Sequence, residues 1–206
     1  MKNIIEVNDA VSLIKKSLTK SISYNTYRNV VSNHVQSATS SGLNQSDELS
    51  HFTLLNDSRM RRLDKTLKLP TAVLEQLENY QGSQTWIVLT ESWCGDAAQA
   101  LPMINKLAEV SPNISLKVLF RDENPELMNA FLTNGTMSIP KLIAFDTNTN
   151  EIVGDWGPRP TAATEMVAEY KKAHGSLTPE FKQELQVWYN KDKGQNIAID
   201  LVKLLN

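Results

Sequence analysis

The spacing of apolar residues changes near residue 84, and this change constrains the fold more than any other feature of the chain. Residues 85–90 and 114–120 are short runs of apolar and β-branched side chains bounded by turn residues, and such runs are typical of strands. Between them, apolar residues recur every three or four positions over residues 97–108, which predicts a helix. A strand, a helix and a strand in this order predict a parallel pair joined by a right-handed crossover.

The chain then continues with the elements that complete a mixed sheet. A second helix is predicted over residues 125–132, and two further strands over residues 141–145 and 152–156. The link between these two strands is short and rich in turn residues, so the strands are predicted to form an antiparallel hairpin. With a helix over residues 161–172, the predicted order is β-α-β-α-β-β-α, which is an α/β domain with a mixed sheet.

Both ends of the chain are predicted to be helical. Residues 1–82 contain no convincing strand and carry apolar stripes at helical spacing, interrupted by a small polar linker at residues 37–42. We therefore divide the chain into an N-terminal helical extension (1–82), an α/β domain (83–175) and C-terminal helices (176–206). A hydrophobic content of 41% in 206 residues is enough for a core and excludes wholesale disorder.

Charge and cysteine content exclude several classes of function. The chain has 21 Lys+Arg and 23 Asp+Glu, a net charge of −2 without a dense basic run, so neither nucleic acid nor a membrane surface is expected as a partner. One cysteine excludes an intramolecular disulfide, and the three histidines lack paired spacing, so no metal site is expected. The absence of a secretory signal pattern and of an apolar run of ~20 residues predicts a cytoplasmic protein.

The single cysteine, Cys94, lies where a predicted strand gives way to a helix. A sulfur at a helix N-terminus faces unpaired backbone N–H groups and the positive end of the helix dipole, and both favour the thiolate. We therefore expect a thiol pKa below the ordinary value of ~8.5 and a reactive sulfur. The alternative is a half-buried, inert cysteine that serves as a small apolar side chain.

At this junction the sequence resembles the thioredoxin superfamily over about residues 84–174. Residues 93–97, Trp-Cys-Gly-Asp-Ala, resemble the Trp-Cys-Gly-x-Cys redox motif, and Pro102 falls where thioredoxins have a proline that kinks the helix. Residues 138–140, Ser-Ile-Pro, resemble the cis-proline loop that faces the cysteine in this family. The resemblance thus implies a thioredoxin-like fold with helical extensions at both ends.

The resemblance implies a role for each matching residue. Cys94 would be the nucleophile that attacks a disulfide or an oxidised sulfur, and Trp93 and Gly95 would shape the exposed turn around it. Ile139 and Pro140 would offer backbone groups to a bound peptide or thiol. From the residues alone, Pro140 is simply a proline that leads a strand, and an ordinary trans bond is the alternative to the cis bond that the resemblance implies.

Two departures from the family pattern restrict the chemistry. Ala97 stands where the second cysteine would be, so Cys94 has no thiol with which to close an internal disulfide. Val88 occupies the strand position where thioredoxins carry a buried acid. The remaining possibility is monothiol exchange, in which Cys94 forms mixed disulfides with a protein, glutathione or another small thiol as co-substrate, and no other cofactor is implied. The alternative is a redox-inactive fold that binds a peptide or protein at Cys94 and Pro140.

Three charged residues near the motif allow two interpretations each. Asp96 is expected both to stabilise the first turn of the helix and to raise the thiol pKa, and its role is either that of a first-turn helix acid or a catalytic one. Glu91 is either a proton acceptor for Cys94 or, the more common case, an exposed acid at the end of a strand. Arg159, between two prolines, either points its guanidinium at the edge of the active site or belongs to a rigid strand-to-helix connection.

The N-terminal extension carries two further features. Residues 42–46 and 55–63 resemble the helical extension of a bacterial thioredoxin-like group with Trp-Cys-Gly-Asp motifs. A basic cluster within it either lies near the thiol, where it would attract anionic thiols, or forms a solvated helix face. The cluster consists of Arg59, Arg61, Arg62, Lys65 and Lys68.

Overall fold

The computed structural model describes residues 4–205, with side chains from residue 9 onward, so residues 1–3 and 206 of the predicted terminal segments lie outside the described residues. The helices in chain order are α1 (Ile4–Leu18), α2 (Tyr24–Gln36), α3 (Asp47–Thr66), α4 (Thr71–Asn79), α5 (Gly95–Val110), α6 (Pro125–Ala130), α7 (Thr161–His174), α8 (Pro179–Asp192) and α9 (Gln195–Val202). The strands are β1 (Gln84–Thr90), β2 (Ile114–Phe120), β3 (Lys141–Asp146) and β4 (Glu151–Trp156). Short 3-10 turns lie at Arg121–Glu123 and Lys203–Leu205.

The strands form a mixed sheet in the order β2-β1-β3-β4. β1 and β2 run parallel, while β3 is antiparallel to both β1 and β4. This confirms the predicted α/β architecture, including the crossover through α5 and the β3–β4 hairpin. Each strand falls on one of the four predicted segments, so the sequence pattern is sufficient to locate the sheet.

The central strand β1 ends four residues before Cys94 and fixes the position of the turn that carries it. Its residues are buried along the whole strand. A continuous apolar run of this kind is expected where helices cover both faces of a parallel pair. The buried strand therefore holds residue 91 in place at the edge of the sheet. A short turn leads from there into α5.

The helical extensions share one core with the α/β domain. Tyr27 of α2, Met60 of α3 and Leu201 of α9 are at most 1% exposed and belong to the same apolar cluster as Leu101 of α5. Both α3 and α9 pack against α5, the helix that begins next to the cysteine. The extensions are thus able to contribute side chains to the surroundings of Cys94.

The elements depart from the predicted ones in a few places. The helix predicted to reach residue 132 ends at Ala130, because Phe131 leaves helical geometry with φ −129° and ψ 41°. Ile22, in the segment predicted to lack strands, exchanges backbone hydrogen bonds of 3.0 and 2.9 Å with Val118 of β2. No helix among residues 4–205 is long and apolar enough to cross a bilayer.

Candidate active site

Cys94 is the N-cap residue of α5, at the junction that the sequence predicts. Its Sγ accepts a hydrogen bond from the backbone N–H of Ala97 at 3.5 Å and donates one to the carbonyl oxygen of Ile139 at 3.3 Å. The Ile139–Pro140 peptide bond is cis, so the alternative of a trans proline is wrong. The side chain is only 8% exposed, and Ala97 is completely buried beneath it. The structure thus brings together the cysteine, the first turn of α5 and the proline segment before β3.

Burial controls the ionisation of Cys94. Burial raises the pKa of this thiol to about 12, and the carboxylate of Asp96 adds to the rise. The backbone N–H groups of Ala97 and Asp96, and the guanidinium of Arg159, act in the opposite direction. The expectation of a lowered pKa at the helix N-terminus is therefore wrong, because the loss of solvation outweighs the N–H groups that α5 provides. At neutral pH, Cys94 is a protonated thiol.

Asp96 is held between side chains from two other elements. Arg159, in the turn between β4 and α7, forms an ion pair with it at 2.6 Å, and the hydroxyl of Tyr189 in α8 donates to it at 3.1 Å. Burial raises the pKa of Asp96, while Arg159 and Tyr189 oppose this rise. The guanidinium of Arg159 therefore lies at the edge of the site, which agrees with the first of its two interpretations, a side chain that points at the motif. Sequence reasoning missed Tyr189, because its hydroxyl group reaches Asp96 from a helix 93 residues further along the chain.

Gly157 places Arg159 against the motif. Its φ of +118° is rarely adopted by L-residues, and a Cβ at this position would lie 2.1 Å from the carbonyl oxygen of Pro140. The turn after β4 therefore packs directly on the backbone of the proline segment, which a side chain at residue 157 would prevent. This close approach links the Arg159–Asp96 ion pair to the residues that face Cys94.

Glu91 is completely buried, so the interpretation of an exposed strand-end acid is wrong. Its carboxylate accepts hydrogen bonds from the Ser41 hydroxyl and, at 2.9 Å, from the backbone N–H of Asp122. Burial raises the pKa of Glu91, although the hydrogen bonds from Ser41 and Asp122 oppose the rise. No hydrogen bond connects Glu91 with the Sγ of Cys94 among the described residues. Glu91 thus anchors the linker and the turn after β2.

Replacing Glu91 with glutamine should lower the free energy of unfolding by about 1–2 kcal/mol, because an amide has a single acceptor oxygen for two buried donors. The measurement is urea-induced unfolding. Glu123→Gln removes the same charge from an exposed position and should change stability by less than about 0.5 kcal/mol. Equal losses in both variants would contradict the anchoring role.

Trp93 is fixed by the linker that the sequence predicts between two helices. Its indole Nε1 donates to the carbonyl oxygen of Ser41 at 3.1 Å, and the guanidinium of Arg121 lies 5.1 Å from the ring centroid. Ser41 is 5% exposed, and its Oγ also accepts a hydrogen bond from the backbone N–H of Ser92 at 2.7 Å. The linker is therefore part of the wall of the candidate site, and its polar composition gave no signal of this role.

The basic cluster of α3 is divided by the fold. Arg61 pairs with Asp57, and Arg62 donates to the side chain of Asn190 at 2.6 Å. Arg59 alone of these three lies beside the motif, with its Nη1 3.7 Å from the position that a Cβ on Gly95 would occupy. Of the three arginines of the cluster, Arg59 is thus the one placed next to the Cys94 motif. No three His, Cys, Asp or Glu side chains are grouped as metal ligands in the described part of the chain.

A cysteine at the N-cap of the helix after the central strand, opposite a cis-proline that leads β3, defines this as a thioredoxin-like protein. The family model described as Thioredoxin matches residues 42–171, which is more than half of the chain. The chain belongs to this family. The match begins within the linker before α3, so α3 and α4 are included in it.

Solved structures show the same fold at low sequence identity. A protein of unknown function from Pseudomonas aeruginosa is 19% identical, with a TM-score of 0.59 over 73% of this chain and 84% of that chain. An HIV epitope scaffold is 18% identical, with a TM-score of 0.57 over 89% of this chain and 98% of that chain. No curated protein sequence matches the chain significantly.

Proposed function

We propose that the protein carries out monothiol exchange through Cys94. The observation that supports this most is the placement of the sole thiol at the N-cap of α5, opposite the cis-proline segment, with Ala97 in place of a second cysteine. In this arrangement a substrate sulfur that approaches along the proline segment meets Sγ, while Trp93 and Gly95 form the wall beside it.

The proposed exchange has two steps. The Cys94 thiol first loses its proton to a base in solution, and Sγ attacks one sulfur of a disulfide; a mixed disulfide forms and the other sulfur leaves as a thiolate that takes up a proton. A second, external thiol then loses its proton in solution and attacks the substrate sulfur of the mixed disulfide; a new disulfide forms between these two sulfurs, and Sγ of Cys94 leaves as a thiolate that takes up a proton. The external thiol is required because Ala97 offers none.

The finer assignments belong to the same proposal. A thiol pool that supplies the second step is characteristic of the cytoplasm, where we place the protein. The substrates would be protein disulfides or small thiols, and neither nucleic acid nor a membrane has a role in the exchange. The Trp-Cys-Gly-Asp motif and α3 support membership of the bacterial thioredoxin-like group named above.

A second function is favoured by one observation. The Cys94 thiol is 8% exposed and burial raises its pKa, so the unliganded protein does not present a reactive thiolate. This favours a module that binds a ligand without thiol chemistry. In that case the proline segment would bind a peptide without any exchange at Cys94.

The reaction of Cys94 with a thiol reagent should become about tenfold faster per pH unit between pH 7 and 10, without a plateau, because only the thiolate reacts. Alkylation followed by intact mass measures this rate. In oxidised glutathione, we expect a mass gain of one glutathione that forms slowly at pH 7 and faster at pH 9.

The Cys94→Ser variant, which should show neither reaction, is the control. A plateau below pH 8 would contradict the raised pKa. The absence of any glutathione adduct from pH 7 to 10 would overturn thiol exchange in favour of the binding module.

A further inference from the structure

Two side chains from the helical extensions converge on the space over Gly95, next to the thiol. A Cβ on Gly95 would lie 3.7 Å from Nη1 of Arg59 and 3.9 Å from Nε2 of Gln186. These two nitrogen atoms are the only heavy atoms of the described residues within 4 Å of that position, apart from the glycine's neighbours and the backbone of its own helix. Arg59 comes from α3 and Gln186 from α8, so both helical extensions contribute a donor to this space.

Neighbouring side chains fix the orientation of both donors. Arg59 donates to the side-chain oxygen of Asn56 at 2.9 Å, and Asn56 in turn donates to the carbonyl oxygen of Ser92 at 3.0 Å. The side-chain oxygen of Gln186 accepts a hydrogen bond from buried Gln99 at 3.0 Å. This contact uses the oxygen of the Gln186 amide, so the amide nitrogen, 3.9 Å from the position of a Cβ on Gly95, is available as a donor.

The charge on Arg59 is not neutralised by a carboxylate. Among the described residues, none of its nitrogen atoms lies within 4.0 Å of an Asp or Glu oxygen. Asp96, the acid next to Gly95, is already paired with Arg159. The space over Gly95 therefore combines a half-buried cation with an amide donor, and a guanidinium favours carboxylate oxygens as acceptors.

We propose that Arg59 and Gln186 bind the carboxylate of a small anionic disulfide, one sulfur of which is attacked by Sγ of Cys94. This inference rests on the proposed exchange and specifies its substrate class. The carboxylate would occupy the space over Gly95 while the substrate sulfur meets Sγ of Cys94. The bonds made and broken are those of the first exchange step, with the small disulfide as oxidant and its released half as the reduced product.

Three disulfide reagents of similar size test the charge preference: 3,3′-dithiodipropionate, neutral bis(2-hydroxyethyl) disulfide and cationic cystamine. The rate of mixed-disulfide formation is followed by intact mass at pH 8 and an ionic strength of ~0.1 M, at which the Debye length is ~10 Å. Because intrinsic reactivity differs among the reagents, the anion-to-cation rate ratio of each variant is compared with that of the unsubstituted protein. Arg59→Gln should lower this ratio about three- to fivefold, the range expected for a partly exposed ion pair.

Two further variants show whether a change in the rate ratio comes from a local contact with the substrate or from the net charge of the protein. Lys65→Gln removes the same charge from an exposed position of α3 and should leave the ratio within about 1.5-fold, since screening weakens distant charges. Gln186→Glu keeps an acceptor for Gln99 and should lower the ratio further than Arg59→Gln, because it places a like charge against the carboxylate.

The outcomes distinguish this inference from the function on which it rests. Equal ratios in the unsubstituted protein, Arg59→Gln and Gln186→Glu, with adducts formed in all of them, would overturn the anionic substrate and leave monothiol exchange standing. An equal fall in Lys65→Gln and Arg59→Gln would overturn the local site. The absence of an adduct with all three reagents would overturn both proposals.

Discussion

Replacing Arg159 with glutamine is expected to lower the free energy of unfolding by about 2–4 kcal/mol at pH 7, because it leaves the carboxylate of Asp96 without its ionic partner. The side chains of Asp96 and Arg159 are only 13% and 24% exposed, so solvent replaces little of the lost interaction. Tyr189 still donates one hydrogen bond to Asp96, and this contact keeps the expected loss below that of a fully buried pair. Urea-induced unfolding measures the difference.

The loss should depend on pH in a defined direction. Burial already holds the pKa of Asp96 above its ordinary value, and removal of Arg159 raises it further. A raised carboxyl pKa costs stability once pH exceeds the unfolded value of ~3.9, and this cost disappears when the carboxyl is protonated in both states. The deficit of Arg159→Gln should therefore be large at pH 7 and small near pH 4.

A double variant identifies Asp96 as the cause. Asp96→Asn combined with Arg159→Gln removes both charges and should be more stable at pH 7 than Arg159→Gln alone. Loss of Arg159 should also slow alkylation of Cys94 at pH 8, because the guanidinium opposes the raised pKa of this thiol. A deficit that is equal at pH 4 and pH 7 and is not relieved by Asp96→Asn would contradict the ion-pair argument.

The sheet and the position of Cys94 could be predicted because their signals are local. Apolar runs located all the strands that the structure describes, and the change to helical spacing after residue 96 placed the cysteine at the start of α5. A strand or helix of this kind follows from residues within one or two turns of each other. The amino-acid sequence therefore contains all the information that is needed to place these elements.

The environment of the thiol could not be predicted, because it is assembled from distant segments. Glu91 accepts hydrogen bonds from Ser41 and Asp122, and Asp96 is paired with Arg159 and accepts a hydrogen bond from Tyr189, which is 93 residues away along the chain. The expectation of a low thiol pKa counted the N–H groups of α5, which are local, and omitted burial, which depends on the tertiary fold. The direction of the pKa shift was wrong for this reason.

Gly157→Ala is expected to lower the free energy of unfolding by about 3–5 kcal/mol, through two separate effects. A φ of +118° is costly for any residue with a Cβ, and the added atom would lie 2.1 Å from the carbonyl oxygen of Pro140. Because this neighbour is backbone, relief requires the turn after β4 to move away from the proline segment. That movement would separate Arg159 from Asp96 and open the contact between Ile139 and Cys94.

Gly175→Ala separates the clash from the backbone effect. Gly175 also has a positive φ, +78°, but no atom lies within 4 Å of its added Cβ, so its replacement should cost only about 1 kcal/mol. Urea-induced unfolding of both variants gives the comparison, and alkylation at pH 8 reports on the site: Cys94 should react faster in Gly157→Ala and at an unchanged rate in Gly175→Ala. Equal losses of stability with unchanged alkylation in both variants would show that the close approach of residue 157 to Pro140 does not hold the thiol in its buried position.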